Sequence, residues 1–185
     1  MGVVRCPDPV LLVVATFGRH PAALDWARQR LEPVFGPLAL ASAPFDFNQT
    51  GYYEATMGPG LRKGFLAFGD LLSADRLAEV KLRTNELEAE LARSGAYPEP
   101  RPLNLDPGFL ALGKFVLATT KDQAHRIYLR DGIFAEVTLR FEAGAFEPWP
   151  WTYADYREPV VRNFLRQARD YYRERLRQAT RPELD

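Results

Sequence analysis

The sequence predicts an α+β fold, a single-domain sandwich with a mostly antiparallel or mixed sheet. Three observations lead to it: a long apolar strand-like run near the start, amphipathic helix signals, and the order strand, helix, strand, strand, helix, strand. That order is ferredoxin-like βαββαβ, and a C-terminal β-hairpin and helix follow it. The length of 185 residues, 46% of them hydrophobic, suits one core. We therefore expect one domain over residues 1–185, with flexible termini at 1–9 and 178–185.

The first half of the chain supplies four elements. Val10–Phe17 is continuously apolar and β-branched, which is typical of a strand buried on both faces. Pro21 suits the first turn of a helix, which Gly36-Pro37 ends. Leu38–Pro44 and Arg62–Phe68 are the next two strands, joined by an aromatic loop.

The second half begins with a helix that Ser73 is placed to cap. Asn104–Gly108 combines Asn, Asp, Pro and Gly, which is turn chemistry or a ligand-binding loop. Leu112–Thr120 is predicted as a central strand, His125–Phe141 as a hairpin, and Ala154–Arg177 as the last helix.

The hairpin has two candidate turns. A two-residue Asp131-Gly132 turn with regular pairing would scatter polar groups over both faces of the hairpin. A three-residue Arg130–Gly132 loop pairs Arg126 with Glu136, and Tyr128 with Phe134. It also gathers the apolar side chains on one face: Ile127, Leu129, Ile133, Ala135, Val137 and Leu139. We therefore predict the three-residue loop.

Composition excludes several classes of function. A net charge of zero implies no global attraction to nucleic acid or an anionic membrane. One cysteine and two histidines exclude a disulfide and a cysteine- or histidine-rich metal site. Neither a Walker-type phosphate loop nor a serine nucleophile elbow occurs. We expect a cytoplasmic protein, since Val10–Ala15 is too short to cross a bilayer and has no leader-like flank.

Polar residues are concentrated in Asn104–Arg140, although much of this stretch is predicted sheet. Buried polar groups are costly unless they are paired, so such a concentration indicates a binding site or a structural network. Our candidate ligand-binding residues are Lys81, Thr84, Asn85, Asn104, Lys114, Thr119, Thr120, Lys121, Arg126, Thr138, Tyr52, Tyr53 and Glu54. His125, Glu136 and Asp106 are candidate acids or bases, and Asp106 with Glu136 could hold a divalent cation such as Mg²⁺. We expect these side chains to meet in one cleft.

The leading functional hypothesis is a protein that binds a small molecule, nucleotide or phosphate, with a metal-assisted reaction on a phosphorylated substrate as its extension. Each candidate also has a structural interpretation: Arg126–Glu136 as a cross-strand pair, and the Lys81 stripe as a solvated helix flank. The alternative function is an RNA- or protein-binding module that uses the basic last helix, with Arg166 and Arg169, and exposed Trp149 and Trp151. A purely structural or interaction role is the third hypothesis, and the oligomeric state stays open.

Ordered motifs over Val10–Tyr172 resemble the DUF4416 family, a bacterial and archaeal domain of unknown function. They are Thr50–Glu54 with Met57-Gly58, Lys81–Asn85 with Glu88, Asn104–Gly108, Leu117–Lys121, His125–Tyr128, Ala135–Thr138, and Trp151–Tyr153 with Asp155-Tyr156. The chain departs at Asp122–Ala124, where the family pattern has an Asn-Tyr-Ser-like run. The resemblance implies no activity, but it implies that the Tyr52-Tyr53-Glu54 loop, the Lys81 helix and the sheet motifs belong together.

Overall fold

One nine-stranded antiparallel sheet forms the centre of the fold. The structure is a computed structural model that describes residues 2–180. Its strands are β1 (Val10–Gly18), β2 (Leu38–Ala41), β3 (Phe45–Asp46), β4 (Arg62–Leu72), β5 (Asn104–Ala111), β6 (Lys114–Thr119), β7 (Ile127–Arg130), β8 (Ile133–Glu142) and β9 (Ala145–Pro148). The order is β2-β4-β1-β5-β6-β8-β7, with β3 beside β4 and β9 beside β8. The α+β class is confirmed, and nothing in this order conflicts with a ferredoxin-like arrangement.

Helices cover both faces of the sheet. They are α1 (Pro21–Phe35), α2 (Glu54–Met57), α3 (Leu77–Arg93) and α4 (Pro159–Thr180), with 3-10 turns at Ala74–Arg76 and Ala154–Arg157. Leu12 and Val14 of β1 pack with α1 and α3, whereas Leu11 and Val13 pack with α4. This arrangement explains why the first strand is apolar at every position, since successive side chains point to opposite faces.

The predicted helix boundaries are close to those observed. Helix α1 begins at Pro21 and is followed by Gly36, whose φ of 91° lies in the region that favours glycine. Ser73 was predicted to cap the next helix, but it precedes the 3-10 turn and makes no side-chain capping hydrogen bond. Helix α3 begins after that turn, at Leu77. Helix α4 extends to Thr180. Residues 2–9 form no helix or strand. Of the predicted flexible terminus 178–185, residues 178–180 belong to α4, and residues 181–185 lie outside the described part of the chain.

The prediction of a turn at Asn104–Gly108 was wrong, because these residues begin β5. Asn104 pairs with Phe17 and Pro107 with Val14, both on β1. On its other side, β5 pairs with β6 only from Gly108 onward. Residues 104–107 of β5 have no strand beside them on the edge that faces away from β1. Pro107, which has no backbone N–H, is therefore tolerated there. The turn-forming residues of Asn104–Gly108 therefore lie in a strand segment that pairs with a neighbouring strand on one edge only.

The predicted hairpin pairing was correct at its centre, but the predicted turn was wrong. Tyr128 pairs with Phe134 as expected, whereas Arg130 pairs directly with Ile133. The turn is thus the two-residue Asp131-Gly132, with φ values of 54° and 75°, as in a type I′ turn. A register shift at Leu129 makes this short turn compatible with the Tyr128 pairing.

The predicted apolar face of the hairpin is divided by a second irregularity. On β6, Phe115 pairs with Leu139 and the next residue, Val116, pairs with Val137, so Thr138 is the extra residue of a bulge. Val137 consequently packs near the start of α3, while Leu139 joins the core beneath α4. Strand β7 itself is exposed, with Ile127 71% accessible. Bulges are not visible in a simple alternation pattern.

No helix within residues 2–180 combines the length and the apolar character needed to cross a membrane.

Candidate functional site

The candidate site lies where two neighbouring strands of the sheet separate. Residues 104–107 of β5 pair with β1 alone, and Ala118 and Thr119 of β6 pair with β8 alone. The ladder between β5 and β6 therefore stops after Gly108 and Leu117. Strands that part in this way leave backbone and side-chain groups free for other contacts.

Helix α3 and β5 supply the first half of the site. The Nζ atom of Lys81 donates to the carbonyl oxygen of Leu105 at 2.9 Å and to Oδ1 of Asp106 at 3.3 Å. Glu88, two turns further along α3, accepts the backbone N–H of Leu105 at 2.7 Å. Arg101 donates to Glu88 at 2.9 Å and also to Oδ1 of Asn104. The stripe of α3 predicted as a solvated flank therefore faces β5, with Lys81 buried.

Strand β8 and the segment before β7 supply the second half. The guanidinium of Arg126 donates to Glu136 at 2.8 Å, to the Lys121 carbonyl oxygen at 2.9 Å and to the Tyr153 hydroxyl at 2.6 Å. Both side chains of the Arg126–Glu136 pair are 1% exposed. Nε2 of His125 lies 3.3 Å from Oε2 of Glu136, and the Thr138 hydroxyl donates to the other carboxylate oxygen of Glu136 at 3.2 Å. The cross-strand pair predicted from the hairpin register is thus present, and it is buried.

A buried lysine on β4 completes the set of charges. The Nζ atom of Lys63 donates to Asp155 at 2.5 Å. It also lies 4.6 Å from the ring centre of Tyr156 and 5.2–5.6 Å from three phenylalanine rings, Phe17, Phe47 and Phe65. Aromatic faces attract a cation, which partly offsets the loss of water around this ammonium group.

We call these residues together the strand-gap cluster. It comprises Lys63, Lys81, Glu88, Arg101, Asn104, Asp106, His125, Arg126, Glu136, Thr138, Tyr153, Asp155 and Tyr156. Its two halves are electrostatically connected, since Asp106 and Glu136 both raise the pKa values of the Tyr153 and Tyr156 hydroxyls. Four cations and four carboxylates form four internal ion pairs.

Burial and neighbouring charge oppose each other at the carboxylates. Burial alone would raise the pKa of Asp106, but the attraction of Lys81, Lys63 and Arg101 holds that pKa below its usual value. Burial raises the pKa of Glu88 despite Lys81 and Arg101. Burial also raises the pKa values of Tyr53 and Tyr156 above that of an ordinary tyrosine. Both phenols are therefore protonated well beyond neutral pH.

Two buried polar atoms of the strand-gap cluster have no hydrogen-bond partner within the described chain. They are Nδ2 of Asn104 and the hydroxyl oxygen of Tyr156. Both residues are 2% exposed. An unpaired buried donor of this kind costs about 1–3 kcal/mol, so each such group calls for a partner.

The outer rim of the cluster carries aromatic rings and cations. Nζ of Lys121 donates to the Tyr52 hydroxyl at 3.2 Å and lies 4.6 Å from the Tyr52 ring centre. The His125 ring stacks on Trp151 at 5.4 Å, and Trp151 stacks on Trp149 at 5.2 Å. His125 is therefore held between an indole ring and the carboxylate of Glu136.

The structure brings most of the predicted site residues together, but not all. Lys81, Asn104, Asp106, His125, Arg126, Glu136 and Thr138 lie in the strand-gap cluster, Tyr53 packs beside it, and Tyr52 and Lys121 lie at its rim. Lys114 is exposed at the opposite end of β6, about 17 Å from Thr119 at the usual rise of a strand. Glu54 and Thr120 are exposed. The Thr84 hydroxyl donates to the Lys81 carbonyl oxygen within its own helix, and Asn85 makes no side-chain hydrogen bond within residues 2–180.

Sequence reasoning missed several members of the cluster. Six of its residues were not among the predicted site residues: Lys63, Glu88, Arg101, Tyr153, Asp155 and Tyr156. Lys63 offered a signal, because it is one of only four lysines and it directly precedes the apolar run Gly64–Phe68. Asp155 and Tyr156 offered a weaker one, as part of a shared motif. Arg101, in a proline-rich connector, offered none.

The described residues contain no group of three or more His, Cys, Asp or Glu side chains that could hold a metal ion. Asp106 is instead paired with Lys81, and Glu136 with Arg126. The magnesium hypothesis stays a prediction.

A separate cleft of about 520 Å³ lies between α1 and α3, lined in part by Trp26, Glu90 and Tyr97. None of the predicted site residues lines it. Its carboxylate at Glu90 already accepts two hydrogen bonds from Arg30. The concentration of chemically active groups therefore lies elsewhere, at the strand gap.

The basic stripe of α4 is largely engaged within the protein. Arg169 donates to the Leu112 carbonyl oxygen at 2.7 Å and covers the Phe141 ring at 3.6 Å. Arg173 pairs with Asp170, and Arg177 with Glu174. Arg162 and Arg166 form no side-chain hydrogen bond or ion pair within the described residues. Most of the stripe predicted for nucleic acid thus has local partners.

Comparison with known proteins identifies one family. No curated protein and no solved structure matches the chain. The family model of DUF4416, a domain of unknown function, matches residues 8–172. This range contains every residue of the strand-gap cluster, and it agrees with the resemblance seen in the sequence motifs. The chain therefore belongs to the DUF4416 family.

Proposed function

We propose that the protein binds a small molecule with an anionic oxygen group, a phosphate or a carboxylate, at the strand-gap cluster. One observation carries this proposal: Asn104 and Tyr156 each bury a polar atom without a partner, although all the charges around them are paired. A network that served only stability would be expected to satisfy its own buried groups.

The chemistry of the unpaired atoms indicates the ligand class. Nδ2 of Asn104 can only donate a hydrogen bond. The Tyr156 phenol is protonated at neutral pH, as tyrosines ordinarily are, and burial raises its pKa further. Two donors favour an acceptor such as a phosphate or carboxylate oxygen. Lys121 at the rim adds a positive charge that attracts an anion.

The ion pairs would serve this binding site by fixing its geometry before the ligand arrives. Lys81 is held by two acceptors on β5, and Arg126 by three acceptors from different segments. Side chains that are already ordered lose little entropy on binding. His125, held by Trp151 and Glu136, is the group that we expect to exchange protons with a bound substrate if the site supports a reaction.

The Tyr156→Phe variant tests the proposal, since it removes only the unpaired hydroxyl. Without ligand, this variant should be as stable as the native protein or more stable by about 1 kcal/mol, because a buried unsatisfied group is lost. Thermal unfolding would be measured with inorganic phosphate, a nucleoside monophosphate, a sugar phosphate and citrate, since a bound ligand raises the unfolding temperature.

We expect at least one probe to stabilise the native protein and Lys114→Ala equally, and to stabilise Tyr156→Phe less. Lys114 is a suitable control because it is exposed at the far end of β6. A probe that stabilises Tyr156→Phe as much as the native protein would exclude this site as its binding site, and the absence of any stabilisation would favour a structural network.

A further inference from the structure

A second and smaller pocket is lined by none of the residues of the strand-gap cluster. It has a volume of about 140 Å³ and lies between the first turns of α4 and strand β9. Ala145 and Phe146 form its floor on the β9 side, and Pro159, Arg162, Asn163 and Arg166 line it from α4. One water molecule takes up roughly 30 Å³ in the liquid, so the pocket could hold a group of about four or five heavy atoms.

Two arginines of α4 line this pocket, Arg162 and Arg166. Arg162 and Arg166 are four residues apart, so they lie on the same face of the helix, and both are permanently charged. Neither forms a side-chain hydrogen bond or ion pair within residues 2–180, whereas Arg169, Arg173 and Arg177 all do. Arg175 also forms none, but it does not line the pocket. The Nε atom of Arg162 is also buried and has no partner.

This arrangement is unfavourable when the pocket holds no anion. Like charges four residues apart on a helix repel each other, and a buried charged donor without an acceptor is costly. An anion between the two guanidinium groups would remove both penalties. Pro159 is the first residue of α4, so the positive end of the helix dipole points toward the same place.

We propose that Arg162 and Arg166 form a binding site for a phosphate-sized tetrahedral oxyanion, either inorganic phosphate or the phosphate of a small monoester. Guanidinium groups match such an anion with paired N–H donors, and the side-chain amide of Asn163 supplies one more donor. This site does not depend on the function proposed for the strand-gap cluster.

The side-chain Nε–H signals of the two arginines in a ¹H–¹⁵N spectrum test the site directly. They would be assigned with the single variants Arg162→Lys and Arg166→Lys. Inorganic phosphate should shift both signals along a saturable curve, while sodium chloride at equal ionic strength should not. Glycerol 3-phosphate in a parallel titration distinguishes a monoester from free phosphate as the better ligand.

Replacement of either arginine by Met should weaken phosphate binding at this pocket about tenfold or more, because a charge-assisted hydrogen bond is lost. Arg173→Met is the matched control on the same helix and should leave the affinity within about twofold. Shifts that stay linear with phosphate, or that chloride reproduces, would overturn the proposal. The Asn104 side-chain amide reports separately on the strand-gap cluster, so the two sites can fail independently.

Discussion

Replacement of Arg126 by Met should destabilise the protein strongly. The guanidinium makes hydrogen bonds to Glu136, to the Lys121 carbonyl and to the Tyr153 hydroxyl, and both members of its ion pair are 1% exposed. Met has a similar length but no charge, so Glu136 would remain buried beside only His125 and Thr138. Loss of one partner of a buried ion pair costs about 3–5 kcal/mol.

A double-mutant cycle separates the lost pair from lost packing. Adding Glu136→Gln to Arg126→Met removes the uncompensated charge and should recover about 1–3 kcal/mol. Arg130→Met is the control in the same hairpin, since its ion pair with Asp131 is exposed and should contribute about 0–1 kcal/mol. Glu136→Gln alone completes the cycle, and urea unfolding followed by tryptophan fluorescence measures the free energies of the native protein and of these four variants. A loss below about 1 kcal/mol for Arg126→Met would refute the reasoning.

Three further predictions concern the sheet and its carboxylates. A Cβ atom at Gly108 would overlap the Val116 carbonyl oxygen, so Gly108→Ala should destabilise the fold by about 1–3 kcal/mol. Gly113 has open space around it, so the control Gly113→Ala should change stability by less than about 0.5 kcal/mol. Similar urea midpoints for the two variants would contradict this prediction. Gly132→Ala should cost about 1 kcal/mol, since φ is 75°; an unchanged melting temperature would exclude the type I′ turn. Asp106 has a lowered pKa in the folded protein, so its ionised form stabilises the fold above about pH 4, and this stabilisation is lost as the pH falls through the folded pKa. Asp106→Asn should therefore lose less stability on acidification than the native protein. Parallel curves of unfolding free energy against pH for the two proteins would count against this.

Local pattern predicted the elements whose burial is uniform. The first strand and α1 follow directly from Val10–Phe17, Pro21 and Gly36, because burial and helix termination leave clear marks in a sequence. The Arg126–Glu136 pair was also predicted, since the central pairing of Tyr128 with Phe134 was correct.

The remaining parts depend on tertiary contacts that no local pattern contains. Asn104–Gly108 has the composition of a turn, yet it forms a strand because β1 supplies a ladder on one side only. The bulge at Thr138 moves Leu139 to the other face of the sheet, and the shift at Leu129 shortens the hairpin turn. Lys63 and Asp155 are separated by 92 residues, and only the fold brings them together.

The side-chain amide of Asn104 gives the most direct test of the proposed binding site. Its NH₂ signals in a ¹H–¹⁵N spectrum would be followed during titration with inorganic phosphate, a nucleoside monophosphate, a sugar phosphate and citrate. If the strand-gap cluster binds an anionic oxygen group, at least one probe should shift these signals along a saturable curve, and Tyr156→Phe should weaken that binding. Signals that stay unmoved by all four probes at millimolar concentration would contradict the proposal and leave the cluster as a structural network.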